Sequence, residues 1–255
     1  MNLWLRSDPN PLIVAHRGSS ATHPENTLDA FRQAIADYAD AIELDVQLTR
    51  DGRVVIFHDF HLNRTTDGKG RLRDHTLREL RSLNASYRTS PGWRIQRIPT
   101  LEEVFELVGR KIGINIEMKV DRRTKNPESL VDRTCEIVRL FHARSNVLLT
   151  SFSVEALRRV RTHHRGFATG LLHYPLAHRS RSPLALAEEV GARYLVVSGA
   201  AVNRRLVRNA RRKELRLGEY TVNSSLRVRR AFRYGLDMMI TDDPRKVRRY
   251  ISSIK

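Results

Sequence analysis

Short apolar runs rich in β-branched residues alternate with longer segments of helical apolar spacing along most of the chain, and no other feature narrows the fold as much. Candidate strands fall at 12–15, 41–46, 54–58, 114–118, 146–150, 168–172, 194–197, 217–222 and 238–241. Helical segments lie near 27–38, 127–141, 154–162, 183–190, 204–213, 225–233 and 244–251. Pro127, Pro183 and Pro244 stand where a first helical turn tolerates proline. Such alternation requires a parallel sheet covered by helices. One strand does not fit that scheme. The Asp51-Gly52 pair, flanked by alternating apolar residues, is a strong hairpin signal, so 54–58 reads as the antiparallel return arm of a hairpin. Setting it aside leaves eight strands, the number in a (β/α)8 TIM barrel. The stretch 59–111, with modest helical pieces at 77–83 and 101–108, reads as a small insertion after the hairpin. Residues 1–255 are expected to form one domain around that barrel.

Composition enters the argument through charge. The net charge is +18, and 39 of the 46 cations are Arg. Residues 1–128 carry 20 basic and 18 acidic side chains, whereas residues 129–255 carry 26 and 10. Such a surplus raises the question of a nucleic-acid partner. The clusters at 158–161, 204–213 and 227–230 leave an inward apolar stripe, for example Leu206, Val207 and Ala210, or Val228, Ala231 and Phe232. With no recognised nucleic-acid motif, the expected reading is a solvated outer coat and no nucleic-acid partner. Hydrophobic content of 40% and a mean hydropathy of −0.46 suit a globular chain. No run approaches the ~18 apolar residues of a membrane-spanning helix, so no stable membrane association is expected. The N-terminal residues lack the basic start and apolar stretch of a secretory leader. The single cysteine, Cys135, cannot form an internal disulfide and sits in a helical apolar pattern, where a packed thiol is expected. Together these set a cytoplasmic location as the expectation.

In a parallel barrel, functional groups collect at the carboxyl ends of the strands. The first strand ends in His16-Arg17-Gly18, the second carries Glu43 and Asp45 on one face, and the strand at 114–118 leads to Glu117 and Lys119 on one face. Three carboxylates at one barrel mouth repel one another and need a compensating cation. Hard oxygen ligands without cysteine suit one divalent cation, Mg²⁺ or Ca²⁺. With Asp51-Gly52 as a two-residue turn, Arg50 would face Arg53 and Asp45 would face His58. His16 and His58 would then flank the carboxylates, and imidazole is the side chain best suited to moving protons near neutrality. Arg17 and Lys119 add positive charge for an anion. Cation, Arg, Lys and two histidines together read as phosphoryl chemistry.

The order Val14-Ala15-His16-Arg17-Gly18, Pro24-Glu25-Asn26-Thr27, Ile42-Glu43-Leu44-Asp45-Val46, Asp51-Gly52, His58-Asp59, Leu62-Asn63-Arg64-Thr65-Thr66, Ile98-Pro99-Thr100-Leu101, Ile116-Glu117-Met118-Lys119 and Thr221-Val222-Asn223 resembles the glycerophosphodiester phosphodiesterase family, of the bacterial, cytoplasmic type. The likeness runs from about residue 12 to 245 and is densest over 14–68. It implies a barrel hydrolase that splits small glycerophosphodiesters, such as deacylated phospholipid headgroups, into sn-glycerol 3-phosphate and an alcohol. Glu43, Asp45 and Glu117 match its metal ligands, His16 and His58 its acid/base pair, and Arg17 and Lys119 its phosphate-contacting positions. Tyr220 stands where many relatives have Trp and is expected to wall the glycerol moiety, with Phe152 either beside it or packed in the core. Two other readings compete: a phospholipase-type phosphodiesterase acting on lysophospholipid, and a basic nucleic-acid-binding protein on a barrel scaffold.

Overall fold

Residues two apart along each strand face opposite ways from their neighbours, and this parity sorts the chain into a filled interior and a helix-covered exterior. The computed structural model describes residues 3–5, 10–89, 92–120, 124, 127–175, 178 and 181–253. Its strands are β1 (Leu12–His16), β2 (Ala41–Leu48), β3 (Val54–Ile56), β4 (Gly113–Met118), β5 (Val147–Ser151), β6 (Ala168–His173), β7 (Tyr194–Ser198), β8 (Arg216–Tyr220) and β9 (Met238–Thr241). Its α-helices are α1 (Leu28–Ala36), α2 (Leu77–Arg81), α3 (Leu101–Val108), α4 (Pro127–Leu140), α5 (Val154–His163), α6 (Pro183–Glu189), α7 (Arg204–Arg212), α8 (Ser225–Tyr234) and α9 (Pro244–Ser252). The sheet order β1-β9-β8-β7-β6-β5-β4-β2-β3 closes through a further β1–β2 pairing. All pairings are parallel except β2 with β3, so eight strands form a closed (β/α)8 barrel with β3 appended to one strand.

The interior holds Leu12, Val14, Ala41, Leu148, Ala168, Tyr194, Val196, Met238 and Ile240. Trp4, fully buried, closes the end opposite the strands' carboxyl termini. Its indole Nε1 donates to the Asn146 carbonyl at 3.0 Å, and its own carbonyl accepts from the Tyr194 hydroxyl at 3.0 Å. Trp4→Ala should therefore cost about 3–5 kcal/mol of unfolding free energy, read from a urea titration. A loss below about 1 kcal/mol would show that the plug contributes little beyond ordinary surface packing.

Outward-facing residues such as Ile13, Ile42, Leu44, Ile114 and Leu149 pack beneath the helices in the larger core. α3 belongs to that layer: Leu101, Val104, Phe105 and Val108 are buried at helical spacing, and Phe105 stacks on Phe141 at 5.2 Å. Between β3 and α3 the chain gathers a separate small core of Val55, Phe57, Leu62, Leu72, Leu80, Ala85 and Ile98. Side-chain caps start α1 (Thr27), α3 (Thr100), α5 (Ser153), α7 (Asn203) and α8 (Ser224), which explains where those helices begin. Cys135 is buried in α4, and burial pushes its thiol up to about 12, consistent with a packed, unreactive role. No helix among the described residues is long and apolar enough to cross a membrane.

The hairpin departs from its expected register by one residue. Val46 faces Ile56, Gln47 faces Val55 and Leu48 faces Val54, so Asp45 does not sit opposite His58, nor Arg50 opposite Arg53. The connection spans three residues, Arg50 to Gly52, rather than two. Gly52 takes φ 74°, the left-handed geometry that glycine reaches without strain, and Thr49 N donates to the Arg53 carbonyl at 3.0 Å.

Candidate active site

Inward parity carries charged and imidazole side chains into the barrel at the carboxyl ends of β1, β2 and β4, with Thr150 of β5 donating to Asn115 beside them at 2.9 Å. His16 pairs with Glu43 in the β1–β2 register, and Glu43 with Asn115 and Asp45 with Glu117 in the β2–β4 register. Oxygens from Glu43, Asp45 and Glu117 lie within 4.8 Å of one another. Glu43 and Asp45 are only 3% and 1% exposed, so their mutual repulsion is poorly screened. Burial, then the Asp45 and Glu117 charges, push the Glu43 carboxyl well above the usual carboxylate range. Burial also opposes ionisation of Asp45. Lys119, His58 and Arg17, with the Asn26 amide, outweigh it and hold that carboxyl below its ordinary value. One Asp45 oxygen, Oδ1, is buried without a hydrogen-bond partner and lies 3.5 Å from Lys119 Nζ. A tight, acidic, oxygen-only cluster with an unsatisfied buried oxygen fits a hard divalent cation.

Two cations border the cluster. Lys119 Nζ is 2.7 Å from Glu117 Oε1, and these carboxylates raise its pKa despite burial. Arg17 donates its backbone N–H to Glu43 at 2.9 Å, and its guanidinium reaches Glu25 at 3.0 Å and Asp45 at 3.4 Å. That pose requires Arg17 at φ 55° followed by Gly18 at φ 82°, where any Cβ would overlap Ala30.

Each histidine ring is tied through Nδ1 to a carboxylate. His16 Nδ1 is 2.6 Å from Asp242 and His58 Nδ1 is 2.5 Å from Asp59, which leaves Nε2 of both rings available toward the cavity they line. Asp242 accepts from Asn223 Nδ2 at 2.5 Å. Asp59 is clasped by Arg64, which bonds Glu25 at 2.7 Å and 2.8 Å, linking the His58 side of the site to Arg17. His58 reaches the site although its expected pairing fails. The ladder ends at Ile56, and the Gln47 side-chain amide holds the carbonyls of Phe57 and Asp59 at 2.8 Å each, bending His58 toward β2 and β4.

The eight expected residues, His16, Arg17, Glu43, Asp45, His58, Glu117, Lys119 and Tyr220, thus gather at one barrel mouth. All but Asp45 line one cavity of about 180 Å³, and Asp45 sits just beneath it, within reach of Lys119 and Arg17. Tyr220 forms the wall facing the carboxylates. Its hydroxyl donates to the His173 carbonyl at 3.2 Å, its ring meets Phe152 edge to face at 6.3 Å, and burial pushes its phenol up to about 12. Sequence reasoning gave no role to Asp59, Asp242, Gln47, Glu25 or Asn223, although Glu25, Asp59 and Asn223 stand within the motifs quoted above. Asp59 adjoins His58, and Asp242 follows the inward positions Met238 and Ile240, so the strand-end rule applied to β9 would have found it. Asn26, set outside the expected set, donates to Asp45 at 2.9 Å.

The profile of the Glycerophosphoryl diester phosphodiesterase family matches residues 16–246, spanning every one of these side chains. The chain belongs to that family. The glycerophosphodiester phosphodiesterase of Caldanaerobacter subterraneus subsp. tengcongensis is 35% identical over 234 residues, covering 91% of this chain and 94% of that protein. A Bacillus subtilis glycerophosphodiester phosphodiesterase is 33% identical over 254 residues, covering 94% and 86%. Among solved structures, an Oleispira antarctica phosphodiesterase in complex with the product sn-glycerol-3-phosphate superposes with a TM-score of 0.87 at 27% identity, covering 95% of this chain and 97% of that one. This family member is therefore an enzyme, a phosphoric diester hydrolase on a (β/α)8 barrel.

Proposed function

We propose that the chain, working as one domain in the cytoplasm, hydrolyses small glycerophosphodiesters to sn-glycerol 3-phosphate and an alcohol. The observation that carries this reading is the placement of two carboxylate-oriented histidines beside a three-carboxylate cluster, with Arg17 and Lys119 between them. Bound by Glu43, Asp45 and Glu117, Mg²⁺ or Ca²⁺ would supply Lewis-acid stabilisation of the phosphate oxygens. Arg17 and Lys119 balance the remaining phosphate charge. One histidine accepts the proton of the attacking hydroxyl at Nε2, and the other gives a proton to the leaving alkoxide. Asp59 and Asp242 hold the rings in the tautomer that this requires. Tyr220 and Phe152 give the glycerol moiety an aromatic wall.

The attacking hydroxyl belongs either to water or to the glycerol C2 carbon, and only the second produces a cyclic phosphate. Following glycerophosphocholine turnover by phosphorus NMR separates the two routes. Glycerophosphocholine should be hydrolysed at least ~10-fold faster than lysophosphatidylcholine, because the cavity of about 180 Å³ beside the carboxylates has room for a glycerol moiety but not for an acyl chain as well. Faster turnover of the lysophospholipid would favour a phospholipase-type enzyme instead.

A further inference from the structure

Away from the catalytic mouth, α7 and α8 enclose a groove of about 520 Å³ lined by Arg204, Val207, Arg208, Arg211, Arg212, Arg233 and Tyr234. Five of these seven residues are arginines and none is acidic. Arg204, Arg208, Arg212 and Arg233 make no ion pair with any described residue, while other exposed arginines do, such as Arg158 and Arg181 with Glu189. Like charges gathered around a concavity repel, and nothing on the lining offsets them. A solvated coat accounts for scattered outward arginines but not for their convergence on one groove.

The spacing is regular. Arg204, Arg208 and Arg211 are four and three residues apart, so they share one face of α7 and rise along it over about 10 Å. Arg211 is fixed at the lower end, donating to the carbonyls of Tyr234 at 3.0 Å and Gly235 at 3.3 Å, which ties α7 to the end of α8. Val207 gives the groove an apolar floor, and the Tyr234 backbone closes its lower end. None of the exposed large apolar side chains, Leu226 included, lies in this lining, so the groove is not shaped for insertion into a bilayer. A single phosphate would engage one or two of the five cations. Planar guanidiniums repeated at several-ångström intervals match successive phosphates.

We propose that the groove between α7 and α8 binds a run of successive phosphate groups, as borne by a nucleic-acid strand or a soluble oligophosphate. The site is separate from the catalytic mouth and is not needed for hydrolysis. The test uses the full chain, a fluorescein-labelled oligothymidylate, tripolyphosphate and orthophosphate, at roughly 150 mM salt. Tripolyphosphate should bind and orthophosphate should not. Oligothymidylate binding that tripolyphosphate displaces identifies a nucleic-acid strand as a ligand, and tripolyphosphate binding alone identifies a soluble oligophosphate. Arg204→Glu combined with Arg208→Glu should weaken binding at least ~10-fold, and Arg249→Glu, an exposed charge outside the groove, by less than about twofold. Unchanged glycerophosphodiester hydrolysis in both variants confirms that they are folded. Failure of both phosphate chains to bind at this salt, or equal weakening by Arg249→Glu, would overturn the proposal.

Discussion

Glu43→Gln should lower glycerophosphodiester turnover by on the order of 10³-fold while making the cation-free protein more stable. The two effects have one origin. Glu43 is buried beside Asp45 and Glu117, and burial with their charges raises its pKa well above 4.5. A carboxyl whose folded pKa is raised binds more protons folded than unfolded, so its contribution to stability falls as pH climbs from the unfolded value toward the folded one. Glutamine has no proton to lose. The variant's stability advantage over wild type should therefore grow as pH rises above about 4.5 in chelator, measured by urea midpoints across pH. Saturating Mg²⁺ or Ca²⁺ should stabilise wild type by about 2.7 kcal/mol at a hundredfold excess over Kd, and the variant by much less. A variant that keeps full activity, or that is equally stabilised by the cation, would show that Glu43 does not hold it.

The second large effect concerns the histidines. His16→Gln and His58→Gln should each reduce kcat by ~10²–10⁴-fold with modest change in KM, since both rings act on protons in the transition state. The double variant should fall far short of the product of the single losses, because the two groups serve one reaction. Asp242→Asn and Asp59→Asn should reduce kcat less, acting through ring orientation at Nδ1. Asp59→Asn should also loosen Arg64, which shares that carboxylate with Glu25. Fully multiplicative losses in the double variant would mean that the rings act in separate steps.

Much of this was legible in the sequence because it rests on periodicity. Strand parity placed Glu43, Asp45, Glu117 and His16 at one end of a barrel, and the Asp51-Gly52 signal correctly removed β3 from the strand count. Register was not legible. The left-handed Gly52 adds one residue to the turn, and nothing in Arg50-Asp51-Gly52 distinguishes two turn residues from three. His58 still arrives because Gln47, 5% exposed, draws the following carbonyls inward, a side-chain contact with no periodic trace. The carboxylate partners of the histidines left a trace in position but not in pairing: Asp59 adjoins His58 and Asp242 follows β9, yet that Asp242 meets His16 across 226 residues is set only where the barrel closes. The arginines of α7 read from sequence as an outer face. That they border a groove depends on how α7 and α8 diverge, which composition does not encode.

The central claim is that this barrel mouth cleaves glycerophosphodiesters with a divalent cation held by Glu43, Asp45 and Glu117. Its most direct test is phosphorus NMR of glycerophosphocholine mixed with the protein, first in excess EDTA and then after adding Mg²⁺ or Ca²⁺. The account predicts no conversion in EDTA and accumulation of sn-glycerol 3-phosphate once the cation is present. Undiminished conversion in EDTA, or phosphocholine as the phosphate product, would contradict it.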